Sequence, residues 1–279
     1  MKNNQEAAGY LSYVLPDLLP ELERSNSGTL SGDYRLIAAD KKTFIWAQNL
    51  DNDTPAVIKM YRHRGKIDWQ REKTFRFRVQ REFNSLVFID SHNVPCSKPL
   101  FWSYGYNPAF GRYEILATRE IKNIIPLDTF TQTSKPEVTR SALIASYKLV
   151  HLMHRSGCHH GAMYPRNILI ARHDTQEPGA FIIDMPKAIS FPYDIRGTKM
   201  AWIDLYFLTT SVIKYTGAEE CIDYMKHYGL EEKAARKFVT HTANYHPSKV
   251  ARNLFLAESQ LWKLMSHFGA RCYTSRLLN

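Results

Sequence analysis

His160-Gly161-Ala162-Met163-Tyr164-Pro165-Arg166-Asn167-Ile168-Leu169-Ile170 is followed by Phe181-Ile182-Ile183-Asp184, with the turn-rich His173-Asp-Thr-Gln-Glu-Pro-Gly between them. Two short apolar runs on either side of a polar turn predict strands over Asn167 to Ala171 and over Phe181 to Asp184. Asn167 and Asp184 are oxygen donors of the kind that hold a hard cation such as Mg²⁺. Each alone has a plain structural reading, Asn167 capping a turn and Asp184 ending a strand. Both together, at this spacing, favour a site.

Upstream, Ser134-Lys135-Pro136-Glu137 combines a capping residue, an early proline and an acid. Val138, Ala142, Ala145, Leu149 and Leu152 then recur at intervals of four and three, so a helix is expected to run until Gly157. Helical patterns dominate from Lys199 onward. Among them, Trp202-Ile-Asp-Leu-Tyr sets Asp204 in a nearly all-apolar run. A buried carboxylate is costly unless it accepts hydrogen bonds, so Asp204 is either such an acceptor or an exposed helix residue.

In the first half, Tyr34-Arg-Leu-Ile-Ala-Ala, Thr43-Phe-Ile-Trp-Ala-Gln and Ala56-Val-Ile-Lys-Met-Tyr predict three strands of an antiparallel meander. A helix follows from about Asp68 to Asp90, with Val79, Phe83 and Leu86 on one face. Two more strands are expected near Leu100-Phe-Trp-Ser-Tyr and Tyr113-Glu-Ile-Leu-Ala-Thr. Lys59 thus ends an apolar strand, and Glu82 sits on the next helix. With no repeat, low-complexity tract or linker, residues 1–279 are expected to fold as a single cooperative domain.

The formal charge of +10 and pI near 9.3 favour an anionic partner, whether phosphorylated lipid, nucleotide or nucleic acid. Lys59, Arg62, Arg64, Lys66, Arg71, Lys73, Arg76, Arg78 and Arg81 stand against only Asp68 and Glu72 in their segment. They form either a solvated helix face or a patch for an anionic surface. Trp69, Phe75 and Phe77 are expected in the core, and no nucleic-acid module is visible. Cys96, Cys158, Cys221 and Cys272 lack the spacing of a zinc ribbon or disulfide framework. Cys158-His159-His160 likewise lacks the further ligands of a metal site. With no signal-peptide core and no apolar stretch of spanning length, a cytoplasmic protein with at most peripheral membrane contact is expected.

The spacing of His160, Asn167 and Asp184 matches the pattern H-x-D-x-x-x-x-N and the following metal-binding aspartate of kinase-fold phosphotransferases. Arg81-Glu-Phe-Asn-Ser-Leu, Asn93-Val-Pro-Cys-Ser-Lys-Pro, Leu116-Ala-Thr-Arg-Glu-Ile and Leu152-Met-His-Arg-Ser-Gly-Cys-His-His-Gly-Ala-Met-Tyr-Pro-Arg-Asn-Ile-Leu resemble the lipopolysaccharide kinase family, which includes Kdo and heptose kinases. A more distant resemblance to RIO-type atypical kinases lies in Phe75-Arg-Phe-Arg, Val94-Pro-Cys and Ile182-Ile-Asp-Met-Pro-Lys.

The resemblance implies an α+β, two-lobed protein-kinase-like fold. Its N-lobe, residues 1–117 with an N-terminal extension, would hold a small antiparallel sheet plus helix, and residues 118–279 a helical C-lobe. It implies ATP and Mg²⁺ as cofactors and a sugar hydroxyl of the lipopolysaccharide core, or another anionic glycolipid, as acceptor at the inner face of the cytoplasmic membrane. Lys59 and Glu82 become the nucleotide-anchoring pair, Thr118 and Glu120 part of the nucleotide-binding stretch near the hinge, Asn167 and Asp184 the metal ligands, His160 a structural member of the catalytic loop, and Asp204 its support.

Three departures qualify that transfer. The Gly-rich loop is absent, and with Ala38-Ala-Asp-Lys-Lys-Thr in its place backbone cradling of phosphates is either reduced or left to Lys41 and Lys42. Asp184 is followed by Met185-Pro186. Ala162 occupies the position of the catalytic aspartate, and alanine can neither accept a proton nor orient a hydroxyl. A natural regulatory pseudokinase and an inactivating substitution in an active kinase both account for it. The intact remainder of the loop favours the substitution. His159 or His160 as a surrogate base, and a RIO-like protein kinase or ATPase, are the weaker alternatives.

Overall fold

The strand pattern of the first half produces a five-stranded antiparallel sheet in the order β1-β2-β3-β5-β4. The computed structural model describes residues 34–40, 42–50, 54–63, 77–107, 111–171 and 178–244. They fall into two compact units, residues 1–87 with 97–121, and residues 88–96 with 122–279.

In the first unit β1 is Arg35–Ala39, β2 Thr43–Leu50, β3 Thr54–His63, β4 Pro99–Asn107 and β5 Gly111–Arg119. Alternation sends Ala56, Ile58 and Met60 of β3 to one face, where they meet Phe44, Trp46, Phe101, Tyr113, Ile115 and Ala117. Each large side chain so buried contributes roughly 1.5–3 kcal/mol. The register pairs Lys59 with Leu116 and Tyr61 with Glu114, so Lys59, Tyr61 and Glu114 share the opposite face.

Helix α1, Arg78–Ser91, lies on the expected segment but begins at Arg78; Asp68 to Arg76 lie outside the described residues. Its buried positions are Val79, Glu82, Ser85, Leu86 and Ile89, whereas Phe83 is half-exposed. The buried face is therefore not the uniformly apolar one expected from Val79, Phe83 and Leu86, because an ionisable Glu82 is set into it.

Of the basic run, Arg64, Lys66, Arg71, Lys73 and Arg76 lie outside the described residues, as do Trp69 and Phe75. The guanidinium groups of Arg62 and Arg78 lie over the rings of Phe44 and Tyr61, at 5.8 and 4.2 Å from the centroids. Phe77 is buried, as expected, and stacks on Tyr104 at 4.4 Å.

The second unit contains β6 (Ile124–Pro126), α2 (Leu127–Thr133), α3 (Pro136–Arg155), β7 (Cys158–His159), a 3₁₀ turn (Pro165–Asn167), β8 (Ile168–Ala171), β9 (Gly179–Ile182), β10 (Ile189–Ser190), α4 (Lys199–Thr216), α5 (Ala218–Tyr228) and α6 (Glu232–Asn244). β6, β8 and β9 form one antiparallel sheet, and β7 pairs with β10. Residues 88–96 join this unit through Pro95, whose carbonyl accepts the Ile182 N–H, and through a bridge from Cys96 to Ile182.

Two local expectations change. Ser134 does not cap α3: Lys135 holds that position without a side-chain bond, and the Ser134 N–H instead closes α2 on Phe130 O. The Thr-rich α2 has poor intrinsic propensity and is stabilised by burying Leu127 and Phe130. Asp184 lies beyond the end of β9, in a left-handed conformation at φ 58°. Cys96, Cys158 and Cys221 are buried thiols in no disulfide; Cys272 lies outside the described residues.

Candidate active site

On the first unit, Lys59 Nζ lies 3.2 Å from Glu82 Oε1 and 3.4 Å from Oε2. The strand face and the helix face thus bring together the anchoring pair expected from sequence. Thr118 is paired in the sheet with Val57 and Pro99. Glu120 donates its N–H to Pro55 O and accepts from the Arg35 guanidinium, so its amide and carboxylate are both engaged within the unit.

The turn from β1 to β2 has no glycine, and its backbone is already occupied. Asp40 Oδ1 accepts the N–H groups of Lys42 and Thr43, each at 2.7 Å. Amides that would cradle a phosphate in a Gly-rich loop here hold a carboxylate of the protein itself. Lys41 lies outside the described residues.

The second unit builds a loop around Asp204, whose carboxylate has no solvent exposure. Its Oδ2 accepts from His160 N at 2.7 Å, His159 Nδ1 at 3.0 Å and His154 Nε2 at 3.2 Å, and its Oδ1 accepts from Gly161 N at 2.9 Å. Burial works against the charge, but the adjoining His159 and the hydrogen bonds from His154 and His159 outweigh it, holding the carboxyl well below the usual range. Of the two readings open from sequence, the buried acceptor is the one observed.

Gly161 takes φ +77°, and a Cβ there would come 2.8 Å from Lys187 O. Only glycine allows the chain to turn here while giving its N–H to Asp204.

His160 Nε2 donates to Ile183 O at 3.0 Å, which leaves Nδ1 to accept the Ala162 N–H at 3.3 Å. Burial pushes its pKa down against the pull of Asp204, and both ring nitrogens are engaged. His159 is fully buried with Nδ1 on Asp204. Neither geometry suits a surrogate base.

Asn167 Nδ2 donates to Ala162 O at 2.7 Å, which fixes the orientation of its side-chain amide. Asn167 O in turn accepts the Ile183 N–H, and the register Ile168 to Ile182 places Asn167 beside the strand end that leads into Asp184. Ile183 is therefore held from both sides, by Asn167 and by His160, immediately before Asp184. An amide and a carboxylate on adjoining segments are oxygen donors of the type Mg²⁺ takes, an ion that keeps several waters and needs few protein ligands. Among the described residues no cluster of three or more His, Cys, Asp or Glu offers a fuller metal cage. Ala162 is half-buried and presents only a methyl group.

The lipopolysaccharide kinase (Kdo/WaaP) family model matches residues 49–219, more than half of the chain. The chain belongs to that family. Membership makes it kinase-like in architecture and supports a sugar-kinase role. Among solved structures it is similar to "WaaP in complex with acyl carrier protein", at 16% identity over 92% of this chain and 94% of that one, with a TM-score of 0.46, a likeness too loose to carry a fold or a partner across. Among curated proteins there is no significant match. Among the described residues no helix is long and apolar enough to cross a membrane.

Two residues that support Asp204 were not singled out from the sequence. His154 Nδ1 accepts from the Tyr228 hydroxyl at 2.9 Å while its Nε2 supports Asp204. Burial, acting against the Asp204 contacts, lowers the His154 pKa and keeps the ring neutral. His154 is a polar position on the buried face of α3, a recognisable anomaly; Tyr228 lies far along the chain on α5 and had none.

Proposed function

We propose that this chain is an ATP- and Mg²⁺-dependent phosphotransferase acting on a sugar hydroxyl of the lipopolysaccharide core, and that Ala162 leaves it better at binding than at transfer. The observation that carries this reading is the contrast at one loop: His160 and Gly161 are pinned by Asp204 and Asn167 is oriented by Ala162 O, yet the position of the base carries a methyl group.

In this reading Lys59 holds the nucleotide phosphates and Glu82 orients the lysine. Asn167 and Asp184 would hold Mg²⁺, which when bound supplies neutralisation of phosphate charge. A sugar oxygen forms the new bond to the γ-phosphorus as the bond to the β-phosphate oxygen breaks. The hydroxyl proton needs an acceptor, and Ala162 supplies none. Loss of a positioned base costs typically about 10²–10⁴-fold in rate. The net charge of +10 favours a phosphorylated glycolipid acceptor and peripheral contact with an anionic leaflet at the cytoplasmic face.

The test is transfer of label from ATP to purified core oligosaccharide by Ala162→Asp, with Asp184→Ala added as the control. Transfer by the first variant and its loss in the second are expected. An Ala162→Asp chain that binds nucleotide but phosphorylates no core sugar would remove the sugar-kinase reading. A regulatory pseudokinase is the second reading, favoured by Asp40 occupying the turn amides, and it would be left standing by that result.

A further inference from the structure

Helix α1 carries Glu82, the partner of Lys59, but its own sequence is poorly suited to start a helix. Phe77 takes the cap position, its carbonyl accepting the Arg81 N–H, and it has no side-chain oxygen to bond the first-turn amides. The first turn contains no acid and two arginines, Arg78 and Arg81. The positive end of the helix dipole is thus met by positive charge.

The sheet supplies what the helix lacks. Glu114, in the middle of β5 and with no solvent exposure, accepts the Val79 N–H at 3.0 Å through Oε2. Its Oε1 lies 2.6 Å from His63 Nε2 on β3. Val79 is the second helical residue, where an N-cap side chain would normally bond. β3 therefore presents two basic side chains four residues apart on one face, Lys59 to Glu82 of the helix and His63 to Glu114 of the sheet. Val79 precedes Glu82 by three residues, less than one turn and about 4.5 Å along the axis.

We propose that Glu114, oriented by His63, is a positioning residue: it acts as an N-cap delivered from the sheet that sets the height and rotation of α1, and so holds Glu82 against Lys59. This rests on the nucleotide-anchoring role proposed for Lys59. Loss of Glu114 removes the acceptor of the Val79 N–H, so the helix end frays and Glu82 shifts from the lysine.

The experiment uses the full chain and two readouts: the dissociation constant for Mg·ATP by calorimetry, and the rate at which an amine-reactive reagent acylates Lys59, followed by mass spectrometry. Glu114→Leu is expected to weaken ATP binding on the order of tenfold and to speed Lys59 labelling severalfold. Glu114→Gln, whose amide oxygen still accepts the Val79 N–H, stays near the parent in both. Val79→Pro, which deletes the donated N–H within the first turn, where no intrahelical bond is lost, reproduces the leucine variant and serves if that variant does not fold. In a Glu82→Gln background Glu114→Leu adds less than about twofold, because the two act through one lysine. Parent-like behaviour of both Glu114→Leu and Val79→Pro, or an undiminished effect in the Glu82→Gln background, overturns the proposal. If even the parent chain binds no ATP but labelling follows the pattern, the tether stands and the nucleotide role of Lys59 falls.

Discussion

Asp204 accepts the backbone N–H of His160 at 2.7 Å, across 44 residues of sequence. Through that bond and its neighbour to Gly161, a carboxylate on α4 shapes a loop that contains no acid of its own. Asp204→Asn turns one oxygen into a donor facing N–H groups, and breaking a buried charged network costs about 3 kcal/mol or more. A clear fall in the urea midpoint is expected. Asp223→Asn, at an exposed pair with Arg140 and Lys226, should leave the midpoint unchanged.

Acid sensitivity follows from the buried imidazoles. His154 and His160 have pKa values lowered by burial, so the unfolded chain binds more protons as pH falls through the unfolded value of roughly 6.5. Stability is complete above that pH and declines below it, toward the lowered folded values. Asp204, also lowered, stays ionised throughout that window and its contribution is lost only in much stronger acid. Melting temperature should drop between pH 7.5 and about 5.5, and His154→Gln should flatten the slope. A flat profile for the parent chain would contradict the assignment of neutral buried rings.

The β1 to β2 turn makes a prediction in the opposite direction. Asp40→Ala frees the amides of Lys42 and Thr43 and removes a carboxylate that repels phosphate. Mg·ATP binding should tighten, by roughly threefold to tenfold at low salt, when measured by titration calorimetry. Asp40→Asn keeps the turn's hydrogen bonds and should change affinity less.

Gly161→Ala tests the loop backbone itself. With φ at +77° and a Lys187 carbonyl 2.8 Å from the added carbon, the substitution should cost about 1–3 kcal/mol and lower the melting temperature. Gly197→Ala, with a similar φ but open space around it, should be milder.

The strands of the first sheet were legible in the sequence because alternation of Ala56, Ile58 and Met60 against Val57 and Lys59 is a local signal. Helix α2 was not, since Asp-Thr-Phe-Thr-Gln-Thr has little helical propensity and forms by burying Leu127 and Phe130. Phe83 is only half-buried on α1, and the burial of Glu82 beside it could not be read from an acid's residue type.

By itself, the sequence determined which residue types are present and in what order: Lys59, Glu82, Asn167 and Asp184 at kinase-like spacing, and Ala162 where an aspartate belongs. Those are covalent facts, readable without a fold. The tertiary structure alone decided which charges are held and by whom. Asp204 became an acceptor for the loop and Glu114 a cap for a helix on another segment, because a buried carboxylate must find donors and the nearest ones lie far away along the chain.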